Sequence, residues 1–406
     1  MTSGESDTAS TVAAPSLTGS SALSSSALGV AAPHPQRPLA ESIIDHAAIV
    51  RNLGRLRAGN DAKFMAVVKA GAFGHGAVET AHTAVAAGAE WLGVATVDEA
   101  LELRESGIFA PILTWLIDPW CDLAAAIAAD VTLSCANAET LLAVAAIAER
   151  TGVIAAVQLE LDTGMARAGS SGELWASLCA AAADVEKAGR VRVTGVWSHF
   201  ALASDPSPDS IRSASLAFED GVAVARAAGL NPEDVHLANS AATLAHPETA
   251  LTMVRCGASL YGIETVDGQS YDLEPALRLV TRVSQLRRIP AGTGVGYNHR
   301  FVSPRETTIV LLPVGYADGV PRLLGGLAEV MIGGTRYPMV GAVSMDQITV
   351  DVGDADVALG DEVVLLGNRA DGEPDAAEWA ALARTLPHEI LTGLGARITR
   401  RHVNSL

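Results

Sequence analysis

The chain has 406 residues, and 49% of them are apolar, enough to build a full hydrophobic core. Its 46 acidic and 28 basic residues give a formal net charge of −18, which argues against nucleic acid or an anionic membrane surface as a partner. The longest apolar runs are too short to span a bilayer. The composition is typical of a soluble, acidic globular protein with no membrane segment.

The four cysteines lie far apart in the sequence and form no C-x-x-C pair: Cys121, Cys135, Cys179 and Cys256. This spacing argues against a structural zinc site and against a disulfide scaffold. No other metal-ligand motif or P-loop is present in the sequence. We therefore expect a reducing, cytoplasmic location and no metal site.

The first 37 residues are mainly Ser, Thr, Ala, Gly and Pro, with few large apolar side chains. Such a segment buries too little surface to offset its ordering entropy, so residues 1–37 are predicted to be a disordered tail. A secretory signal is not expected, because the first basic residue is Arg37 and no solid apolar stretch follows it.

Residues 38–275 alternate short, apolar, β-branched runs with segments of helical period. Near-continuous apolar strands between amphipathic helices are typical of a parallel sheet covered by helices. Eight such runs favour an α/β fold of the (β/α)8, TIM-like barrel type over an open sheet. The predicted strands are Phe64–Val68, Trp91–Ala95, Pro111–Leu116, Val131–Cys135, Ala155–Leu161, Val191–Trp197, Val235–Ala238 and Met253–Tyr261.

Residues 276–406 have a different pattern, in which apolar runs are separated by Gly, Pro and Asp turn signals. This pattern predicts a C-terminal, predominantly β domain. Only the segment 375–386 has helical character there.

Lys69 stands out because it is one of only three lysines and directly follows the first predicted barrel strand. Functional side chains of such barrels gather at the carboxyl ends of the strands. A lysine that is desolvated there has a lowered pKa and becomes a nucleophile towards aldehydes. Taken alone, the residue favours a structural interpretation, in which the lysine stem packs at a strand end while its amine reaches solvent.

Other predicted strand ends also carry polar or functional side chains: Glu160, Asp162, Met165, Arg167, His199, Asn239, Ser240 and Arg255. Five strands that deliver such groups to the same end of a barrel indicate an active site rather than a set of structural contacts.

Eight segments in this order resemble the alanine racemase family: AVVKAGAFGHG, ELDTGMARAG, WSHFALAS, HLANSAATL, MVRCGASLYG, GVGYNHRF, PVGYADGVPR and VGAVSMDQITVDVG. The resemblance covers the chain from about Leu39 to its end. It implies a homodimer of barrel and β domain that uses pyridoxal 5′-phosphate (PLP) to interconvert L- and D-alanine. In this family, the D-alanine that is formed goes into peptidoglycan.

Carried over by position, the resemblance implies roles for the principal site residues. Lys69 matches the lysine that holds PLP covalently, and Tyr297 matches a tyrosine that reaches into the partner subunit's barrel. Arg255 matches the arginine facing the pyridine nitrogen. His199 matches the histidine near the cofactor ring, and Arg167 matches the arginine near the ring oxygen and the substrate.

The remaining implied contacts lie at the two ends of the cofactor. Ser240, with the backbone of Gly257 and Ala258, matches the phosphate contacts, and Asn239 is a further expected cofactor-binding residue. Tyr316 and Met345 match positions that the partner chain supplies at the substrate end of the pocket.

These roles agree with the chemistry of racemisation. A proton must leave one face of the α-carbon and return to the other, so two acid–base groups must flank that carbon. With PLP as the electron sink, Lys69 and Tyr297 on opposite sides suffice. Tyrosine has an ordinary pKa of about 10 and therefore needs positive charge nearby. For Tyr297 alone, a structural tyrosine of the β domain is an equal alternative.

Several positions depart from the family pattern. Gly71 stands where an acidic or amide residue is usual, and Phe73 replaces a tyrosine whose hydroxyl would bind the PLP phosphate. Ala396 falls where some members have a second phosphate-binding tyrosine. Each missing hydroxyl costs about 1 kcal/mol of cofactor binding. Ser344, where cysteine is frequent, is nearly isosteric.

Glu160 stands where many family members have a carbamylated lysine. Since a carboxylate supplies the same negative charge on a shorter stem, we hypothesise that Glu160 replaces the carbamate in orienting Arg167.

Two alternatives remain open at the level of sequence. One is a PLP barrel enzyme with other chemistry, either a decarboxylase or a racemase of a larger amino acid. The other is a degenerate, non-catalytic PLP-binding homologue. The β domain with Tyr297 and the SMDQ segment favour racemisation of a small amino acid.

Overall fold

The computed structural model describes residues 38–404, so the predicted tail at 1–37 lies outside the described residues. Strands of the first part of the chain are β1 (Ala40–Asp45), β2 (Lys63–Val67), β3 (Trp91–Thr96), β4 (Ile112–Leu116), β5 (Thr132–Cys135), β6 (Ala155–Glu160), β7 (Val191–Trp197), β8 (Asp234–His236) and β9 (Met253–Cys256).

The helices between them are α1 (His46–Arg57), α2 (Lys69–Phe73), α3 (Ala77–Ala86), α4 (Val97–Glu105), α5 (Leu123–Ala128), α6 (Ala138–Thr151), α7 (Gly172–Lys187), α8 (Pro208–Ala227) and α9 (Ser240–Ala245). Side-chain caps begin several of them. Thr96 and Glu99 form a capping box at α4, and Asn137 accepts from the Thr140 amide at the start of α6.

Strands β2 to β9 form the predicted parallel barrel, in the ladder order β9–β2–β3–β4–β5–β6–β7–β8. Two backbone hydrogen bonds bring its ends together: the Thr252 amide donates to the Val235 carbonyl at 3.1 Å, and the Arg255 amide donates to the Ala238 carbonyl at 3.0 Å. The barrel is therefore nearly closed, with the helices packed on its outside and the strand ends gathered at one mouth.

Two features of the barrel differ from the prediction. The eighth strand ends at Cys256 rather than Tyr261, because Gly257 leaves the extended conformation (φ −119°, ψ −83°) and a 3-10 turn, Ala258–Tyr261, follows. The seventh is also shorter than predicted, since it ends at His236.

The rest of the chain is mostly β, as predicted, with β10 (Leu277–Arg282), β11 (Gln285–Ile289), β12 (Gly294–Val295), β13 (Phe301–Val302), β14 (Thr307–Leu312), β15 (Glu329–Ile332), β16 (Thr335–Val340), β17 (Ile348–Gly353), β18 (Glu362–Leu366) and β19 (Thr399–Val403). Nine strands form one sheet in the order β11–β14–β17–β16–β15–β18–β10–β1–β19, and β12 pairs with β13 separately. Strand β1 from the start of the described chain is thus part of this sheet, antiparallel to β10 and parallel to β19.

Two helices belong to this part, α10 (Ala376–Ala383) and α11 (Pro387–Thr392). The first lies within the predicted helical segment. The expectation that no other helix occurs here was wrong, because Pro387 takes the first position of a new helix, where its missing N–H costs nothing.

Side chains of β1, α1 and β19 connect the sheet to the barrel. The His46 ring contacts Thr83 Oγ1 on one side and His402 Nδ1 on the other, at 2.5 and 2.8 Å. Arg400 donates to the Gly74 carbonyl at 2.8 Å. No helix between residues 38 and 404 is both long enough and apolar enough to cross a membrane.

Candidate active site

A cavity of about 590 Å³ lies at the carboxyl ends of the barrel strands. Most of the residues predicted from the strand ends line it: Lys69, Met165, Arg167, His199, Asn239, Ser240, Arg255, Gly257 and Ala258. The structure thus brings side chains from five strand ends into one space. Tyr297, Tyr316 and Met345 do not line this cavity.

Lys69 begins an unusual turn. The next four residues, 70–73, all have positive φ, between 53° and 61°, and therefore form a left-handed helical turn. Only Gly71 adopts this conformation without a steric cost, which for other residues is roughly 1–2 kcal/mol each. The turn is held by the Glu99 carboxylate, which accepts from the Ala70 amide at 2.6 Å. Such strain persists where the surrounding structure enforces it, which is typical of functional sites.

The Lys69 amine lies in a desolvated, positively charged environment. Its Nζ is 5.5 Å from the centroid of the Trp115 ring. Burial, followed by repulsion from Arg167, lowers the pKa of Lys69, while Glu99 opposes the shift. A lowered pKa increases the fraction of neutral amine, the form that acts as nucleophile and base.

Arg255 is the centre of the buried polar network. Its guanidinium donates to the Ser198 carbonyl at 2.7 Å, to His236 Nδ1 at 3.1 Å and to His199 Nδ1 at 3.2 Å. It also lies over the Trp197 ring, 4.9 Å from the centroid. Burial lowers the pKa of Arg255 to about 10, so the group stays charged at neutral pH.

The protonation of His199 follows from this network. Arginine only donates, so Nδ1 of His199 must be the acceptor, and the neutral ring then carries its proton on Nε2. Burial and the neighbouring Arg255 charge lower the pKa of His199 to about 3. The side-chain nitrogen of Asn239 lies 3.5 Å from Nε2, which is longer than the Arg255 contact, so we assign the tautomer from the shorter, charge-assisted bond to Arg255.

At the other end of the cavity, Ser240 and Gly257 form a cradle. The Ser240 hydroxyl oxygen accepts from the Gly257 amide at 3.0 Å, which leaves its own O–H free to donate. Gly257 has no room for a side chain, since a Cβ there would lie 2.9 Å from Cζ of Phe73. Asn239 accepts from the Ala242 amide at 3.0 Å and caps α9, which fixes the position of Ser240.

Arg167 is exposed on the loop after β6 and directed to the cavity. Asp162 orders that loop by accepting from the amides of residues 164–166. Glu160, at the end of β6, is only 6% exposed, and burial raises its pKa to about 7 although the charges of Arg255 and Arg167 oppose the shift. Within residues 38–404, the Glu160 carboxylate interacts with both arginines through space rather than through a hydrogen bond.

Tyr297 lies at the tip of the β12–β13 hairpin and is 71% exposed. The amides of Tyr316 and Ala317 donate to the carbonyls of Ser344 and Met345, at 3.0 and 2.9 Å. The Tyr316 turn is therefore joined to the Met345 segment, and both of these side chains are exposed. All three residues thus lie outside the lining of their own chain's cavity and are exposed.

An ion pair stabilises the Tyr316 turn. Arg397 donates to both carboxylate oxygens of the buried Asp318, at 2.7 and 2.9 Å, and to Asp346 at 2.7 Å. Asp318 in turn accepts from the Gly315 amide.

Sequence reasoning missed several residues that shape the site. His236 is fully buried between Arg255 and Gln158, whose side-chain oxygen accepts from His236 Nε2 at 2.8 Å. The only signal for it was its position in the predicted seventh strand. Trp115 and Trp197 form the aromatic wall beside Lys69 and Arg255. His388 of α11 also lines the cavity, and no strand-end pattern indicated it.

Comparisons with known proteins cover nearly the whole described chain. Residues 44–265 match the family described as "Alanine racemase, N-terminal domain", and residues 276–402 match "Alanine racemase, C-terminal domain". The chain is 46% identical over 368 residues to the alanine racemase of Frankia casuarinae, covering 89% of this chain and 96% of that protein.

Two solved structures share the architecture. Alanine racemase from Streptomyces lavendulae is 41% identical, with a TM-score of 0.89 and coverage of 92% of this chain and 99% of that one. The structure of alanine racemase from Bartonella henselae with covalently bound pyridoxal phosphate is 28% identical, with a TM-score of 0.81 and coverage of 90% and 100%.

Proposed function

Because this chain belongs to the alanine racemase family, whose members are isomerases, we propose that it interconverts L- and D-alanine with PLP, using Lys69 and Tyr297 as the two bases. The observation that carries the proposal is the half-buried Lys69, whose pKa is lowered, in one cavity with the buried, charged Arg255.

The residues of the cavity fit PLP. Lys69 supplies a primary amine for the aldehyde, and the Ser240 hydroxyl and the Gly257 cradle suit a phosphate. When bound, PLP withdraws electrons from the α-carbon of the substrate. The wall residues Trp115 and Trp197 give the same space an apolar side, and electrostatic interactions are stronger beside apolar groups than in water.

Lys69 is the base on one face. Its lowered pKa increases the fraction of neutral amine that can take a proton from the α-carbon. The left-handed turn that follows fixes the start of its side chain, and Glu99 anchors that turn. Arg167, at the rim of the cavity, is suited to hold the substrate carboxylate through its guanidinium.

Arg255 would face the ring nitrogen of the bound cofactor. A guanidinium is not a proton donor in the acid–base sense, so it would keep that nitrogen unprotonated. The cofactor would then delocalise less negative charge from the α-carbon, which would limit side reactions such as transamination. His199 and His236 hold the guanidinium in position from two sides.

Tyr297 is proposed as the second base, acting in the partner subunit's cavity. Its exposure at a hairpin tip outside its own cavity supports a homodimer in which each site borrows this side chain from the neighbour. Tyr316 and Met345, which share the exposed side of the β domain, would complete the substrate end.

We further propose that the D-alanine serves peptidoglycan synthesis and that the protein works in the cytoplasm. The four cysteines are free, which agrees with a reducing compartment.

Incubation of the purified protein with PLP and L-alanine in D₂O tests the proposal. NMR follows exchange of the α-proton, and chiral chromatography follows the enantiomer ratio. Exchange with conversion to a near-equal mixture supports both bases. Exchange without inversion contradicts the role of Tyr297, and absence of exchange with alanine contradicts the proposed substrate. Serine and larger amino acids are the comparison substrates.

A further inference from the structure

His388 is a side chain of the β domain that enters the cavity at the barrel mouth. It lies on α11 and lines the same space as Lys69, Ser240 and Gly257. Helix α11 is close to the turn after Lys69, since a Cβ on Gly74 would lie 2.3 Å from the Leu391 carbonyl oxygen. The position of His388 is therefore set by the contact between the two parts of the chain.

The ring of His388 lies near the Ser240 and Gly257 end. Its centroid is 5.8 Å from that of Phe73, with the two rings tilted by 50°. Phe73 in turn packs directly on Gly257, where its Cζ leaves no room for a Cβ. One continuous part of the cavity wall is thus formed by His388, Phe73, Gly257 and Ser240.

Neither ring nitrogen of His388 has a hydrogen-bond partner among residues 38–404, and Nδ1 is buried. Burial and the charge of Lys69 lower the pKa of His388. The neutral ring still carries one N–H, and no protein partner determines which nitrogen holds it. An unpaired polar group at a cavity wall is costly unless a ligand satisfies it.

We propose that His388 donates a hydrogen bond to the phosphate of the bound cofactor. This inference rests on the proposed function, since it requires PLP in the cavity. Phe73 presents only its ring at this end, and Ala396 has no side-chain donor, so neither donates to an anion. His388 supplies a donor from a different element of the fold, in the cavity that Ser240 also lines.

The test compares PLP with pyridoxal, which has the same aldehyde and ring but no phosphate. Cofactor-depleted enzyme is titrated with each compound, and the visible absorbance of the Lys69-bound cofactor gives the dissociation constants. His388→Leu is expected to weaken PLP roughly tenfold, the loss typical of one charge-assisted hydrogen bond, and to leave pyridoxal within twofold. The matched control is His82→Leu at an exposed histidine of α3, which is expected to change neither.

A second pair of variants separates donation from packing. His388→Gln keeps a donor on a side chain of similar size and is expected to retain most of the PLP affinity. Adding Phe73→Tyr to His388→Leu places a hydroxyl at the same end and is expected to restore PLP binding without affecting pyridoxal. The ³¹P resonance of bound PLP, expected to differ between wild type and His388→Leu and to stay closer to wild type in His388→Gln, reports on the phosphate independently of activity.

Equal weakening of PLP and pyridoxal by His388→Leu would overturn the inference, because it would mean that the ring only packs. Unchanged PLP affinity would overturn it as well. If His388→Leu does not fold, an identical ³¹P resonance in wild type and His388→Phe decides against it, because phenylalanine keeps a ring but has no donor. Wild-type protein that binds neither compound would instead contradict the proposed function.

Discussion

The Arg255 guanidinium donates to Nδ1 of His199 across 3.2 Å, and this bond determines which nitrogen of His199 carries the proton. The same guanidinium donates to Nδ1 of His236 at 3.1 Å, and Gln158 accepts from the other nitrogen of that ring. Both histidines are therefore neutral, with their protons on Nε2. A buried cation held by two neutral rings and a carbonyl is rigid, which suits the role proposed for Arg255 opposite the ring nitrogen of the cofactor.

Arg255→Lys is expected to lower racemisation at least tenfold and to reduce the melting temperature by several degrees. Lysine has a single ammonium nitrogen, whereas the arginine guanidinium carries donors on separate nitrogens. Lysine therefore cannot donate to His199, His236 and the Ser198 carbonyl at the same time. Steady-state kinetics and thermal unfolding measure the two effects. Arg150→Lys at an exposed position of α6 is the control. Wild-type activity and stability in Arg255→Lys would refute the network's role.

His75 is expected to make the protein less stable in acid. Burial lowers the pKa of this fully buried ring to about 4, below its unfolded value of 6.5, so the unfolded state binds more protons between these values. Stability is then complete above about pH 6.5 and falls as the pH drops towards 4, by up to about 3 kcal/mol.

Urea unfolding of wild type and His75→Asn between pH 4 and 7 measures the contribution of His75 to the pH dependence of the unfolding free energy. Asparagine keeps a donor for the Ala72 and Phe73 carbonyls, which the His75 ring contacts at 2.9 and 3.0 Å, but it does not titrate. The unfolding free energy is expected to change less steeply with pH in His75→Asn than in wild type. Its slope is expected to be unchanged in His82→Asn, the exposed control. Parallel slopes in all three proteins would argue against the prediction.

The barrel could be predicted because its strands are apolar on both faces and short, a pattern that depends on local sequence alone. The rule that functional groups collect at strand ends then placed Lys69, His199 and Arg255 in one cavity. The end of the eighth strand was misplaced because apolar residues continue past Gly257, while the backbone there turns. The amino-acid composition of this segment does not predict the change in ψ at Gly257 that ends the strand.

Features that depend on contacts between distant segments were not predictable in this way. His388 reaches the cavity only because α11 approaches Gly74. The pairing of β1 with β10 and β19 likewise requires the whole second half of the chain to fold. The family resemblance, rather than pattern, singled out Tyr297, and its role in a partner's site stays a prediction.

Glu160→Gln is expected to lower turnover about tenfold above pH 7, because the amide cannot orient Arg167 by charge. The wild-type Glu160 carboxyl has a pKa of about 7, so the turnover of wild type should rise as the pH passes through that value. This rise in turnover should be absent in Glu160→Gln. Bicarbonate is expected to have no effect on wild type. Stimulation by bicarbonate, or an unchanged pH–rate profile in Glu160→Gln, would contradict the hypothesis.

Stability should change in the opposite sense at the same residue. Since burial raises the folded-state pKa above the unfolded value of 4.5, ionisation of Glu160 opposes folding as the pH rises from 4.5 to 7. Glu160→Gln is therefore expected to stabilise the protein at pH 8 by up to about 3 kcal/mol, with little change at pH 4.5. Glu173→Gln, at an exposed position of α7, is the control in both experiments.

Gly74→Ala is expected to destabilise the protein far more than Gly59→Ala. Both glycines have positive φ, +86° and +91°, so alanine costs each a similar conformational strain of roughly 1 kcal/mol. A Cβ at Gly74 would also lie 2.3 Å from the Leu391 carbonyl oxygen, whereas nothing lies within 4 Å of one at Gly59. Thermal unfolding of the two variants isolates this clash, and equal melting temperatures would count against the close approach of α11.

Mixing two inactive variants should restore activity if Tyr297 works in the partner subunit. Lys69→Ala and Tyr297→Phe are each expected to lose at least a thousandfold in racemisation, because each lacks one of the two bases. In a mixed dimer one site has both bases and the other has neither, so random exchange of subunits restores about a quarter of the wild-type activity in an equimolar mixture.

The measurement is racemisation after the two proteins are unfolded and refolded together. Tyr271→Phe, whose hydroxyl bonds Gln269 at 2.7 Å, is the control and should be fully active alone. A mixture that stays inactive although light scattering shows dimers would place both bases in one chain, which the exposure of Tyr297 argues against.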